Sequence, residues 1–266
     1  MRALVYQDTR LVLDRNYPIP TLVEDEALIR VTHAGICNTD LEIVRGYLGF
    51  QGVLGHEFVG IVEAVQEGRG ATPLTSLIGK RVVGEINAAC HHADCLYCQR
   101  GMPTHCPNRT TLGILNRDGA FADYLVLPTR NLHLVPDNVS DEEAVFVEPL
   151  AANFEIPEQV HVKPTESVVI LGDGKMGQLA AQVLTLSGCE VMMVGKHEEK
   201  LALAAKHGVR TYLLDDAQHF TLENRRRVDL IVECAGSPQG LELALRLVRP
   251  RGTLILKSIL SISHEF

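Results

Sequence analysis

One stretch, residues 167–188, constrains this chain more than any other. SVVILGDGKMGQLAAQVLTLSG reads as a buried strand over 167–172, a glycine turn, and a helix that the turn opens. An isolated G-x-G-x-x-G is weak evidence. One that ends a strand and starts a helix inside a strand–helix alternation is strong. The alternation continues here. EVMMVG (190–195) is a strand, EEKLALAAKHG a helix and VRTYLL (209–214) a weaker strand. VDLIVECAG (228–236) is again a strand, LELALRLVRP a helix and GTLILKS (252–258) a strand. Such spacing predicts right-handed βαβ units on a parallel sheet, a Rossmann-type domain.

In that setting each residue of the turn has a task. Gly172 permits the tight bend, and Gly174 lets the backbone approach a pyrophosphate seated on the positive helix N-terminus. Gly177 allows close helix–strand packing, which makes Gly172, Gly174, Lys175, Met176 and Gly177 the expected cofactor contacts. The tip of the second strand usually reads the adenosine ribose, through an Asp or Glu on the 2′-hydroxyl in NAD enzymes. Here it reads Val194-Gly195-Lys196-His197, with no carboxylate. Gly195 leaves room for a 2′-phosphate that Lys196 could neutralise, which favours NADP(H) over NAD(H). The competing reading leaves Lys196 solvated and gives the hydroxyl to Glu198 or Glu199.

The first ~130 residues have another rhythm. Short β-type runs, ALIRV (27–31), FVGIVEAV (58–65), KRVVGEI (80–86) and FADYLVLP (121–128), are punctuated by Gly and Pro with no long helix between them. This predicts an all-β unit. Residues 141–160 have helical character interrupted by Pro149 and Pro157. The domain boundary is expected near 150, giving domains 1–150 and 151–266 of ordinary size.

Several function classes are excluded by composition. The net charge of -8 argues against general nucleic-acid or anionic-membrane binding. No apolar run approaches the ~18 residues of a membrane span. MRALVYQDTRLVLDR interrupts its apolar residues with charge at once, unlike a signal peptide. A cytoplasmic, reducing location is therefore expected, in which clustered cysteines favour metal over disulfides.

Two constellations carry metal-type chemistry. Cys37, in GICNTD, with His56 and Glu57, in GHE, form a plausible zinc set of the catalytic kind, three protein ligands and one open position. Taken alone, Cys37 reads as a small buried hydrophobe. The second constellation is CHHADCLYCQRGMPTHC (90–106), which holds four of the seven cysteines of the chain. Cys189 and Cys234, on strands of the second domain, read as core.

AGICNTD, LGHEFVG, the cysteine cluster, VEPLAA and LGDGKMG, taken in this order and spacing, resemble the zinc-dependent medium-chain dehydrogenase/reductases, which include alcohol and polyol dehydrogenases. The resemblance runs from residue 1 to about Lys257. It implies a GroES-like β-barrel catalytic domain followed by a Rossmann dinucleotide-binding domain. Cys37 and His56 would bind catalytic zinc in the cleft between domains, with either Glu57 or Glu148 as the carboxylate. Thr39 would pass the substrate proton outward, while Asp40 reads as structural.

The resemblance also implies a second, structural zinc on a lobe at about 85–110. The usual spacing is C-x2-C-x2-C-x7-C, and Cys95, Cys98 and Cys106 keep the last two intervals. The first interval departs. Either Cys90 remains the ligand across a longer loop, or His92 takes its place in a Cys3His site; both sets suit zinc. Because a longer loop adds little closure cost, Cys90 is favoured.

The family chain normally continues past a fifth strand into a sixth and a segment that completes the catalytic domain. RGTLILKS fits the fifth strand, whereas ILSISHEF does not look like the usual continuation. The chain thus resembles a C-terminally truncated member, without the strand that usually pairs subunits into homo-oligomers and with an unpaired sheet edge. Two functions are compatible with these features: a zinc-dependent NAD(P) oxidoreductase of an alcohol, polyol or carbonyl, or a zinc-carrying protein that keeps the fold without turnover.

Overall fold

The computed structural model describes residues 1–66, 68 and 74–259. Its chain divides into two compact units, Met1–Glu148 and Pro149–Phe266.

The first unit holds β1 (Ala3–Gln7), β2 (Arg10–Asp14), β3 (Glu26–Gly35), β4 (Gly52–Val53), β5 (Glu57–Gln66), β6 (Arg81–Gly84), β7 (Asn87–Ala88), β8 (Thr110–Leu112), β9 (Asn116–Arg117), β10 (Tyr124–Pro128) and β11 (Leu132–Leu134). They form a central sheet of order β10-β3-β5-β6-β11, flanked by the sheets β2-β1-β4 and β7-β8-β9. The N-terminal hairpin β1–β2 is not expected from sequence, where charges break its apolar pattern. The two-residue alternation of strands explains why the central sheet is buried on both faces. Ala27, Ile29, Phe58, Val62 and Val82 enter one core, while Val59 and Val83 enter another with Val135 and Ala144. Full burial of each Val, Ile or Phe side chain among them contributes ~1.5–3 kcal/mol.

Three short helices sit on this frame: α1 (Asn38–Val44), α2 (Leu96–Gln99) and α3 (Asp141–Ala144). Ser140 and Glu143 form a capping box at the start of α3. Asp141 then fastens that helix to the sheet. Its Oδ1 accepts from Arg81 Nη1 at 2.7 Å and its Oδ2 from Thr32 Oγ1 at 2.8 Å.

The helix α4 (Val147–Gln159) corrects the expectation that Pro149 and Pro157 interrupt this region. The break falls at residues 145–146, between α3 and α4. Pro149 lies in the first turn, where a backbone N–H has no intrahelical partner, and Pro157 is carried inside the helix near its C-terminal end.

The second unit carries β12 (Ser167–Leu171), β13 (Glu190–Gly195), β14 (Arg210–Leu213), β15 (Val228–Glu233) and β16 (Val248–Leu256) in the order β14-β13-β12-β15-β16. Every pairing in this sheet is parallel. Four helices follow its strands: α5 (Lys175–Thr185), α6 (Glu198–Ala205), α7 (Ala217–Asn224) and α8 (Pro238–Leu247). Strand β12 is apolar on both faces, as a covered parallel strand requires. Val168 and Ile170 pack with Ala180, Leu184 and Leu201, while Val169 and Leu171 pack with Phe220, Ala244 and Leu247. The strand order turns around between β12 and β15, next to the glycine turn. Such a switch point opens the crevice in which open α/β sheets bind ligands.

Two sequence expectations shift here. Strand β16 begins at Val248 rather than 252, and α7 is an unexpected helix because its residues show little amphipathic pattern. Of the C-terminal octapeptide ILSISHEF, residues 260–266 lie outside the described residues.

Candidate metal centres and dinucleotide crevice

Pairing of β3 with β5 brings the first constellation together. Gly35, the last residue of β3, stands opposite Glu57, the first of β5. The chain therefore delivers Cys37 just beyond one strand end and His56 just before the other. The Cys37 Sγ, a ring nitrogen of His56 and a carboxylate oxygen of Glu57 all lie within 4.8 Å of one another. His56 and Glu57 are 3% and 2% exposed, so few waters compete for this set. A Cβ on Gly35 would lie 2.3 Å from Glu57 Oε2, so only glycine admits the carboxylate there.

Asp40 organises these residues from α1. Its Oδ2 accepts the Cys37 N–H at 2.8 Å, and its Oδ1 accepts the Gly55 N–H at 3.2 Å. Oδ1 also lies 3.4 Å from His56 Nδ1, a buried nitrogen that has no hydrogen-bond partner among the described residues. Burial pushes the His56 ring toward the neutral form. The contacts with Asp40 and Cys37 and the fields of Asp40 and Glu148 outweigh it and bring the ring up to about 10. A buried imidazole in so negative a setting, beside a thiol and a carboxylate, suits a cation that displaces its proton; the donor set fits zinc. The Cys37 thiol points to Thr39 Oγ1 at 3.6 Å. Glu148, in the first turn of α4, lies in electrostatic reach of His56 but outside the set of three.

The second constellation gathers its four cysteines. The Sγ atoms of Cys90, Cys95, Cys98 and Cys106 lie within 4.8 Å of one another, with Cys90–Cys106 at 3.4 Å and Cys95–Cys106 at 3.7 Å. Tetrahedral zinc with ~2.3 Å bonds to sulfur implies S···S edges of about 3.8 Å, close to these two separations, so the donor set fits zinc. The long first interval is absorbed locally. His91 adopts φ +49°, the Cys95 N–H donates to the His92 carbonyl at 3.0 Å, and Gln99 Nε2 donates to the Ala93 carbonyl. His91, His92 and His105 are exposed and stand outside the thiol group. The Cys106 thiol is pushed down to about 6, first by the Cys90 N–H, with burial opposing. One member of the group is thus ready to ionise. Among the described residues every cysteine is free, and Cys189 is buried in the second unit.

The glycine turn behaves as its spacing implies. Gly172 has φ +115°, and Gly174 is the N-cap of α5. A Cβ on Gly177 would lie 2.0 Å from the Gly172 carbonyl oxygen. Lys175 and Met176 form the first helical turn, whose N–H groups face outward from the α5 N-terminus.

At the strand tip the structure departs from the sequence expectation. No residue of β13 brings a carboxylate there, but Asp173, from within the glycine turn, does. Its Oδ2 accepts the N–H groups of Lys196 and His197, each at 2.7 Å. The space expected above Gly195 is filled, since a Cβ there would lie 2.6 Å from both Cβ and Oδ2 of Asp173. Lys196, Glu198 and Glu199 are exposed. The sequence pattern does not single out Asp173, although an acid inside a phosphate-type turn is an electrostatic oddity and is the available signal.

A parallel sheet with a glycine turn at its switch point, in one chain with a Cys–His–Glu cluster whose histidine and glutamate are buried, fits a metal-dependent, nucleotide-linked dehydrogenase. The chain belongs to the zinc-binding dehydrogenases. The model for the alcohol dehydrogenase GroES-like domain matches residues 23–137, and that for zinc-binding dehydrogenases matches residues 176–265. A sorbitol dehydrogenase of Bacillus subtilis (strain 168) is 31% identical over 268 residues, covering 96% of this chain and 74% of that protein. Two solved structures superpose closely. The rspB alcohol dehydrogenase of E. coli CFT073, complexed with NADH, has TM-score 0.86 at 27% identity, covering 100% of this chain and 78% of the other. A zinc-binding dehydrogenase from Sinorhizobium meliloti 1021, bound to NADP, has TM-score 0.84 at 29% identity, covering 99% and 78%. The chain is accordingly an oxidoreductase of the zinc-type, NAD(P)-linked class, a GroES-like domain followed by a Rossmann-type domain. No helix among the described residues is long and apolar enough to cross a membrane.

Proposed function

We propose that this protein moves hydride between a nicotinamide dinucleotide and an alcohol, a polyol or the corresponding carbonyl, using one zinc ion at Cys37, His56 and Glu57 and a second, structural zinc at Cys90, Cys95, Cys98 and Cys106. The observation that carries the reading is the convergence of a thiol, an imidazole and a carboxylate within 4.8 Å, two of them buried. Three protein ligands leave one coordination position open, as a catalytic site needs, whereas four thiolates close the other.

Zinc held by Cys37, His56 and Glu57 would supply a Lewis acid for the alcohol oxygen, and a dinucleotide in the crevice would supply the hydride acceptor. The protein's own residues do the rest. Asp40 holds the Cys37 backbone in place before substrate arrives and sets a negative charge beside Nδ1 of His56. Thr39, half-buried beside Cys37, offers the hydroxyl that hands the alcohol's proton outward. Glu57 supplies the third donor, and Glu148 adds negative field. The N–H groups of Lys175, Met176 and Gly177 at the α5 N-terminus, reached past Gly172 and Gly174, receive the pyrophosphate.

The choice between NADP(H) and NAD(H) turns on the tip of β13. Lys196 favours NADP(H) by its charge, and the carboxylate of Asp173, which fills the space over Gly195, opposes it. Free clustered thiols favour a reducing, cytoplasmic setting. The expected partner is a small molecule, with homo-oligomers as the family's usual assembly.

The test is a cofactor-linked absorbance assay on zinc-loaded protein, with NAD(H) and NADP(H) against a panel of alcohols, polyols and aldehydes. Turnover with at least one pair is expected. Silence with every pair, despite about two zinc ions per chain, rejects catalysis and leaves a metal-carrying protein of the same fold.

A further inference from the structure

The carboxylate of Asp173 has an environment that the glycine turn does not need. It sits between two glycines of a loop proposed to receive a pyrophosphate, and there a negative charge is unfavourable. Yet it is 7% exposed and held at the end of β13 by two backbone N–H groups at 2.7 Å. His197 Nδ1 lies 3.0 Å from Oδ2 and 3.1 Å from Oδ1. Burial pushes the acid upward, but the hydrogen bonds from His197 and Lys196 outweigh it and leave it below the usual range, so it is charged near neutrality.

These contacts load the two oxygens unequally. Oδ2 takes both backbone donors and faces the imidazole, while Oδ1 has, among the described residues, only the imidazole. A carboxylate oxygen accepts two hydrogen bonds, so Oδ1 keeps capacity for another donor. The position is informative. Open α/β sheets bind dinucleotides outside the carboxyl ends of their strands, and the end of the second strand reads the adenosine ribose. Gly195 stands at that end, and Asp173 fills the volume above its Cα.

We infer that Asp173, although it belongs to the glycine turn, reads the ribose of the dinucleotide, accepting the 2′-hydroxyl at Oδ1 and excluding a 2′-phosphate by charge and by occupancy of the space over Gly195. This rests on the proposed dinucleotide binding and deepens it. The conventional acid is carried by the second strand; here the first loop delivers the same group to the same place, and the glycine makes room for the carboxylate rather than for a phosphate. Lys196 contributes its backbone N–H to holding the acid, and its exposed side chain is left to solvent.

The test is equilibrium binding, without turnover, of NAD+, NADP+ and 2′-deoxy-NAD+ to the zinc-loaded full chain. Wild type is expected to bind NAD+ at least about ten-fold tighter than NADP+, and removal of the 2′-hydroxyl should weaken binding by about ten-fold, the range of a charge-assisted hydrogen bond. In Asp173→Asn, the amide oxygen can still accept the Lys196 and His197 N–H groups. Its ratio of NADP+ to NAD+ affinity should rise by about ten-fold or more. A merely structural role would change both affinities together and leave that ratio fixed. A wild type that prefers NADP+, or a ratio unmoved in a folded Asp173→Asn, overturns the inference. If that variant does not fold, equal binding of NAD+ and 2′-deoxy-NAD+ by wild type overturns it. Failure of wild type to bind any of the three rejects dinucleotide binding itself, and this inference with it.

Discussion

Asp40 Oδ2 accepts the backbone N–H of Cys37 at 2.8 Å. Through its other oxygen, which accepts the Gly55 N–H at 3.2 Å and faces His56, one buried carboxylate holds both approaches to the metal-type cluster. Removing it as Asp40→Ala orphans two backbone donors at about 1–3 kcal/mol each and removes the charge that faces the imidazole. Zinc content should fall by one ion per chain and the urea midpoint should drop, with Asp40→Asn recovering part of both. Full metal content in a folded Asp40→Ala would show that the carboxylate does not position the ligands.

Gly35→Ala tests the same centre from the opposite strand. The new Cβ would stand 2.3 Å from Glu57 Oε2, so the carboxylate must move. Metal analysis should show weakened binding at this centre, with the cysteine cluster still loaded. Wild-type affinity would mean that Glu57 is not a ligand.

At the cysteine cluster, Cys90→Ala should lose the structural zinc and lower thermal stability, whereas His92→Ala should keep both. The reverse pattern would restore the Cys3His alternative. The chain spacing alone does not decide between them. The turn from His92 to Cys95 supports Cys90, because it takes up the extra residues and leaves His92 exposed.

Asp141 ties stability to pH. The Arg81 guanidinium holds its carboxyl below the usual range, burial opposes, and Thr32 and then His33 add to the lowering. A depressed folded value means the contribution is full above the unfolded value of about 3.9 and is lost as pH falls through the folded one. Denaturant midpoints between about pH 3 and pH 7 should therefore show wild type above Asp141→Asn at neutrality and the gap closing in acid. A constant gap would mean that the acid's charge is not what fastens α3.

Much of this is legible in the chain. Gly172, Gly174 and Gly177 announce a turn whose geometry leaves few options, and the apolar run of β12 announces a sheet covered on both faces. Cys37, His56 and Glu57 are legible as ligand types because their chemistry is specific. The remainder depends on contacts between distant segments. Nothing local marks Asp173 as the residue that reaches Gly195, because the distance between them is closed only by the pairing of β12 with β13. Pro149 misleads for a simpler reason: a proline breaks a helix interior, but it lies in the first turn, where no intrahelical N–H bond is lost. The β1–β2 hairpin escapes notice because Leu11, Val12 and Leu13 are all exposed, so no alternation marks the strand.

The central claim is that the chemistry belongs to Cys37, His56 and Glu57 while the cysteine cluster serves structure. The most direct measurement pairs zinc analysis with turnover in Cys37→Ala, using the dinucleotide and substrate pair on which wild type is active. Zinc should fall from about two to about one per chain, with the protein still folded and turnover lost. Turnover that survives in Cys37→Ala at about one zinc per chain would contradict the claim and move the chemistry elsewhere.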